Sequence, residues 1–277
     1  MSKLEDLLAG EPSVVEKADT IIFDGMAVIQ LLQVQSIHNT FMDMALSFLK
    51  YILMKAREVY GVTSIHVVFD KYRKQSPKSE TRRERGDSAS TIVHISGNLR
   101  VPKDWKICSS SGTKKERLSE YYTGYMKEKE CNYLTCQETL IINGGNNDIC
   151  IEVTSDDWNE TTALKSNQEE ADTVMIFHAK YAGDTGSSSV VVQSPDTDVL
   201  VFLLHHYKSI GAKSLYMSTG RVTTHTDLRR YISVNRLTEK LSDEHSRIIL
   251  AVYCLTGCDS LLQAVSLAKE RNLCLNR

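Results

Sequence analysis

The sequence predicts an α/β protein with a central, mainly parallel twisted sheet and helices on both faces. Three observations carry that expectation. Short continuous apolar runs such as Thr20-Ile-Ile-Phe-Asp24 and Ser64-Ile-His-Val-Val-Phe-Asp70 read as strands buried on both sides, as parallel strands are. Stretches with helical apolar spacing separate such runs. Aspartates stand at the ends of the strand-like runs, where a parallel α/β sheet opens its ligand crevice.

The elements follow in order. Thr20–Asp24 is the first strand. Residues 40–60 place Phe41, Met44, Ala45, Phe48, Leu49, Ile52 and Leu53 at helical spacing and predict a long amphipathic helix ended by Gly61. Ser64–Asp70 is the second strand. Glu169–Tyr181 reads as helix, Val190–Gln193 as the third strand, Val199–Tyr207 as helix and Ser214–Ser218 as the fourth strand. Glu244–Leu255 reads as a helix running into Thr256-Gly-Cys-Asp259. Between about 74 and 135 the chain is polar and basic, with Lys78-Ser-Glu-Thr-Arg-Arg-Glu-Arg85 and loop-like Ser and Gly clusters, and it is expected to be a partly mobile insertion carried by the sheet.

Composition bounds the function. The 277 residues are 42% hydrophobic and 25% charged, ordinary for a folded chain, and nothing reads as a linker. With 33 basic and 35 acidic residues there is no global positive excess, so any nucleic-acid footprint has to be local. The seven cysteines include no Cys-x-x-Cys pair, which fits reduced thiols of an intracellular protein, nuclear or cytoplasmic. Cys131/Cys136 and Cys254/Cys258 lack a second pair at zinc spacing. Neither a signal peptide nor a run of 18 apolar residues is present, so no membrane partner is expected.

The acids are the chemistry-bearing set. Asp24 and Asp70 end strands, Asp196 and Asp198 follow the third strand, Glu170 and Asp172 open a helix, and Asp259 sits in a turn after a buried helix. Any one of them has a structural use as a helix cap or as a charge at a helix N-terminus. All seven together predict a crevice in which carboxylates repel one another unless a cation neutralises them. Oxygen ligands of this kind suit a hard divalent ion, and so many of them suit two.

These stretches resemble the flap endonuclease and XPG-like branch of the PIN-like 5′ nucleases. The likeness rests on Ile21-Ile-Phe-Asp-Gly25, Val67-Val-Phe-Asp70, Glu169-Glu-Ala-Asp-Thr173, Ser194-Pro-Asp-Thr-Asp-Val-Leu200 and Leu255-Thr-Gly-Cys-Asp-Ser260, and covers roughly 20–85 and 168–260. It implies an N-terminal extension over 1–19 and one PIN-like domain over 20–277, with a basic gateway and insertion at about 71–135. It further implies two Mg²⁺ or Mn²⁺ ions held by Asp24, Asp70, Glu170, Asp172, Asp196, Asp198 and Asp259, and hydrolysis of DNA or RNA phosphodiesters. Lys78, Arg82 and Arg85 fit the gateway cations that contact the scissile phosphate; the alternative for that stretch is a solvated helix face or a nuclear localisation signal. The chain departs from the family in three places. It starts Met-Ser-Lys rather than at a glycine, Gln30 stands where flap endonucleases place a stacking tyrosine, and the duplex-gripping helix–two-turn–helix element does not follow Asp259. Either the chain is a piece of a longer protein or its substrate is not held as a flap, and in the second case single-stranded or frayed ends are the expected substrates.

Two other function classes stay open. An apolar strand followed by Asp196-x-Asp198-x-Leu200 also fits a haloacid-dehalogenase-like phosphatase with Asp196 as nucleophile. A nucleic-acid-binding or interaction module that keeps the fold without turnover is the non-enzymatic alternative. A serine hydrolase has no Gly-x-Ser-x-Gly elbow to support it.

Overall fold

The computed structural model describes residues 4, 6–8, 15, 17–32, 40–72, 94–102, 112–129, 132–144, 148–220 and 230–256. Within them lie strands β1 (Thr20–Asp24), β2 (Ser64–Val68), β3 (Thr139–Asn143), β4 (Cys150–Val153), β5 (Trp158–Thr161), β6 (Ser189–Gln193), β7 (Ser214–Thr219) and β8 (Arg230–Ser233). They form one sheet in the order β5-β4-β3-β2-β1-β6-β7-β8. The five strands from β3 to β7 in that order are parallel; β4, β5 and β8 are antiparallel at the two edges.

Alternation along each strand divides the apolar residues between two cores, because successive side chains leave opposite faces. Ile21, Phe23, Ile65, Val67, Leu140, Ile142 and Val191 face helices α1 (Gly25–Leu31), α2 (Phe41–Met54) and α3 (Gly112–Lys129). Ile22, Val68, Val190, Val192, Leu215 and Met217 face α4 (Ala171–Asp184), α5 (Thr197–Ile210) and α6 (Val234–Thr256). Both faces are therefore covered, which is why the central strands read as unbroken apolar runs.

Local sequence sets the helix ends. Thr40 and Asp43 form a reciprocal capping box at the start of α2, the Asp43 amide donating to Thr40 Oγ1 at 3.2 Å and the Thr40 amide to Asp43 Oδ2 at 3.0 Å. A π-helical turn over Lys55–Tyr60 extends α2, and the helix stops at Gly61, whose φ of 63° is the left-handed conformation glycine adopts without penalty. The second strand ends at Val68, so Phe69 and Asp70 leave the ladder rather than belonging to it.

Two expectations need correction. The region 74–135 is not all insertion: Gly112–Lys129 is an eighteen-residue helix whose Leu118, Tyr122 and Met126 are buried in the core. Tyr122 meets Phe48 edge to face with centroids 5.1 Å apart, and Phe48 stacks on Phe69 at 6.2 Å. The stretch without a resemblance supplies β3, β4 and β5, three strands of the sheet. The last helix begins at Val234, ten residues before Glu244, with a break at Ser242 (φ 66°). At the other end of the chain, Leu4 is buried in the α4–α6 core and Lys240 donates to the Leu7 carbonyl at 2.8 Å. Among the described residues no helix is long and apolar enough to cross a membrane.

The topology creates one special place. From β1 the chain steps outward through β2 and β3 and covers one face; from β6 it steps outward the other way through β7 and covers the opposite face. The loops leaving β1 and β6 thus diverge, and the crevice between them lies at the carboxyl ends of the strands, where open α/β sheets bind ligands.

Candidate functional site

Four elements deliver carboxylates to this crevice. Asp24 is the last residue of β1 and the N-cap of α1, its Oδ1 accepting from the Ala27 amide at 2.9 Å. Asp196 follows β6 and caps α5, its Oδ1 accepting from the Asp198 amide at 3.0 Å. Asp70 follows β2 and reaches across to α4, where its Oδ1 accepts from the Ala171 amide at 2.8 Å. Asp172 and Asp198 sit in the first turns of α4 and α5. Three helix N-termini therefore point at one acidic cluster, and their positive ends partly offset its charge.

The offset is incomplete. Burial, opposed in part by the Ala27 hydrogen bond, pushes the Asp24 carboxyl up to about 6, with Asp70 and Asp196 adding to the rise. Asp172 is pushed up to about 7, first by burial and then by the charges of Asp196, Asp24, Asp70 and Asp198. Five of the seven expected acids thus feel one another. Glu170 occupies the N-cap position of α4, without a side-chain capping hydrogen bond. Asp259, Lys78, Arg82 and Arg85 lie outside the described residues.

The cluster is drawn together without being closed around a point. Among the described residues no three His, Cys, Asp or Glu side chains are arranged as they stand to hold a metal ion. The physical reason is visible in the hydrogen bonds. Asp24, Asp70 and Asp196 each spend one oxygen on a helix amide. The Tyr72 hydroxyl donates to Asp70 Oδ2 at 3.1 Å, and the Tyr253 hydroxyl of α6 donates to Asp198 Oδ1. The donor set is all carboxylate oxygen, the chemistry a hard divalent ion takes.

Close approach of the backbone supports this geometry. A Cβ on Gly25 would stand 2.3 Å from the Phe69 ring, so only glycine lets the start of α1 lie against the residue preceding Asp70. Lys71 is not one of the exposed cations expected of the basic stretch. Its side chain is buried, donating from Nζ to the Ser166 carbonyl at 2.6 Å and to Asp148 Oδ1 at 3.2 Å, while its amide donates to the Glu169 carbonyl at 2.8 Å. Asp70 and Lys71 together tie the end of β2 to the segment that leads into α4. Sequence reasoning missed this role of Lys71, since it was read with its basic neighbours, and it missed Tyr72 and Tyr253. Tyr253 lies 55 residues from Asp198 with no motif to link them.

No protein-family model and no curated protein sequence matches the chain.

Proposed function

We propose that the chain is a divalent-metal-dependent nuclease of the PIN-like, 5′-nuclease type, hydrolysing phosphodiester bonds of DNA or RNA. The observation that carries the reading is the gathering of Asp24, Asp70, Asp172, Asp196 and Asp198 at the switch point, where burial and then their mutual charge hold two of the carboxyls well above the usual range. So much unneutralised negative charge is costly to maintain, and a site that binds cations explains why it is kept. The mainly parallel sheet with acids at or just after the ends of β1, β2 and β6 is what the resemblance implies for that family.

Asp24, Asp70, Asp172, Asp196 and Asp198, with Glu170 and Asp259 from the resemblance, are the residues that would hold Mg²⁺ or Mn²⁺. When bound, such ions supply a Lewis acid for the phosphoryl oxygens and an activated water. The chain's own part is to fix the carboxylates: the amides of Ala27 and Asp198 hold one oxygen each of Asp24 and Asp196, the Tyr253 hydroxyl holds one of Asp198, and the Ala171 amide and the Tyr72 hydroxyl hold the two oxygens of Asp70. Lys78, Arg82 and Arg85 are assigned to the scissile phosphate, offsetting charge that develops on it.

The test is a panel of labelled single-stranded and duplex DNA and RNA, incubated with Mg²⁺, with Mn²⁺ and with EDTA. Cleavage that requires the metal and disappears in Asp196→Ala supports the reading. Metal-dependent release of phosphate from small monoesters, through a phosphoaspartate at Asp196, would replace it with the phosphatase. Metal-independent binding without turnover would leave the binding module.

A further inference from the structure

Beside the acidic cluster lies a second feature that the catalytic reading does not use. The segment leading into α4 borders an open hollow of about 510 Å³, lined by Asp148, Lys165, Ser166, Asn167, Gln168 and Phe177. That size lies within the range of small-molecule sites. Phe177 projects from α4 with 39% of its surface exposed, an unusual position for a phenylalanine on a helix whose other large apolar residues are buried. Asn167 and Gln168 are exposed at the rim, each with an amide that both donates and accepts.

We propose that this hollow seats one unpaired nucleobase of the substrate strand, with the ring stacked on Phe177 and its polar edge read by Asn167 and Gln168. The proposal rests on the nucleic-acid reading above and adds a substrate contact to it. The chemistry of the lining favours a base over a phosphate. An aromatic face with amide groups nearby is how unstacked bases are held on proteins. Asp148 and Lys165 put one charge of each sign on the lining, so it offers a phosphate no net attraction, whereas the Phe177 ring offers a face to a base.

The hollow is also held in fixed relation to the acids. Lys71 clamps two of its walls from beneath, at the Ser166 carbonyl and Asp148 Oδ1, and the Ser166 amide donates to the Asp148 carbonyl at 3.1 Å. The residue before Lys71 is Asp70, bonded to the α4 N-terminus. Four residues separate Gln168 from Asp172, which spans at most about 14 Å of chain. Bases stacked about 3.4 Å apart would cover that distance in about four nucleotides. On a strand that runs directly between the two at that spacing, a base in the hollow belongs to a nucleotide within about four of the bond that is cut.

The experiment has two arms, both on the full chain. In the first, binding of adenosine 5′-monophosphate, ribose 5-phosphate and inorganic phosphate is measured by calorimetry with EDTA present, for the wild type, Phe177→Ala, Phe177→Tyr and Asn167→Ala/Gln168→Ala. The nucleotide should bind, the two probes without a base should bind far more weakly, and Phe177→Ala should weaken the nucleotide roughly 5- to 100-fold while Phe177→Tyr restores it. Asp172→Asn should leave this binding intact. In the second arm, one abasic position is walked along a cleavable single strand; KM should rise only where the missing base falls within about four nucleotides of the cut. Equal binding of ribose 5-phosphate, or an unchanged nucleotide affinity in Phe177→Ala, overturns the proposal, as does a flat abasic scan on a strand that is cleaved. Base binding that responds to Phe177 in a protein that cleaves nothing upholds the hollow and removes the nuclease reading instead.

Discussion

Strand β2 borders two clusters of titratable side chains that solve the same problem in opposite ways. On the flank of the strand, His66 and His178 are buried with their Nδ1 atoms 3.0 Å apart. His66 Nε2 lies 3.1 Å from Ser64 Oγ, His178 Nε2 lies 3.8 Å from Cys150 Sγ, and the thiol lies 3.5 Å from the Leu164 carbonyl. One proton arrangement satisfies the whole line. The thiol donates to the carbonyl, His178 donates from Nε2 to sulfur, His66 donates from Nδ1 to His178, and Ser64 donates to His66. Both rings are then neutral, and burial holds them so: His66 is pushed down to about 3 and His178 well below its usual value. At the end of the same strand the carboxylates act on one another through their charges, and two of them rise. The histidine cluster closes on itself; the carboxylate cluster is in tension.

The largest effect that sharpens this contrast is on activity. Asp24→Ala or Asp196→Ala should lower metal-dependent cleavage by about two to three orders of magnitude, the scale of several kcal/mol of transition-state charge stabilisation, with circular dichroism unchanged. Wild-type turnover in either variant would sink the acidic centre.

Next comes stability. His178→Ala strands a buried ring nitrogen of His66 and should cost about 1–3 kcal/mol in urea unfolding, with cleavage per folded molecule retained.

The two clusters also respond to pH with opposite sign. Asp24 and Asp172 have folded values near 6 and 7 against 3.8 unfolded, so the folded state holds more protons and stability is lost as pH rises from about 4 to 7. The two histidines have folded values below 6.5, so the unfolded state holds more protons and stability is lost as pH falls below 6.5. In EDTA the contributions oppose one another between about pH 4 and 6.5. Asp24→Asn/Asp172→Asn should unmask a stability that climbs with pH across that window, and unfolding midpoints measured from pH 4 to 8 decide it. An unchanged profile in the double variant would show that the carboxyls are not raised.

The smallest effect has the most distinctive sign. Asp172→Asn alone should raise the melting temperature of the cation-free protein at pH 8 by no more than about 2–4 °C, since the charge is partly exposed and screened. A substitution that stabilises the fold while disabling the site is the mark of residues kept for function.

Much of this was legible in the chain itself, for identifiable reasons. β1, β2 and β6 announce themselves because both faces are buried, and α2 because its stripe of seven apolar residues recurs at helical spacing. α3 was not legible: its buried apolar residues are only Leu118, Tyr122 and Met126, one per turn, beside buried Lys114, Ser119 and Thr123 and among lysines and glutamates that dominate the average. β4 and β5 are four residues each and half polar, too short for a period to register. Thr139-Leu-Ile-Ile-Asn143 carries the same apolar signal as β1, set apart from the other strands by the polar stretch before it. At the site, strand ends named Asp24, Asp70 and Asp196 in advance. The inward turn of Lys71 and the hydroxyl of Tyr253 depend on tertiary contacts that no local pattern encodes.

The ladder between β1 and β6 has one more consequence. Phe23 pairs with Gln193 in parallel register, and Asp24 and Asp196 follow within one and three residues. The ladder sets the two strand ends about 4.8 Å apart, and the turn at Ser194, whose Oγ accepts from the Asp196 amide at 3.1 Å, then places Asp196. Weakening the core thus changes how many molecules are folded without changing the geometry inside those that are. Damage by core substitution should appear as a loss of active-site concentration in a titration, while the survivors turn over at the undamaged rate.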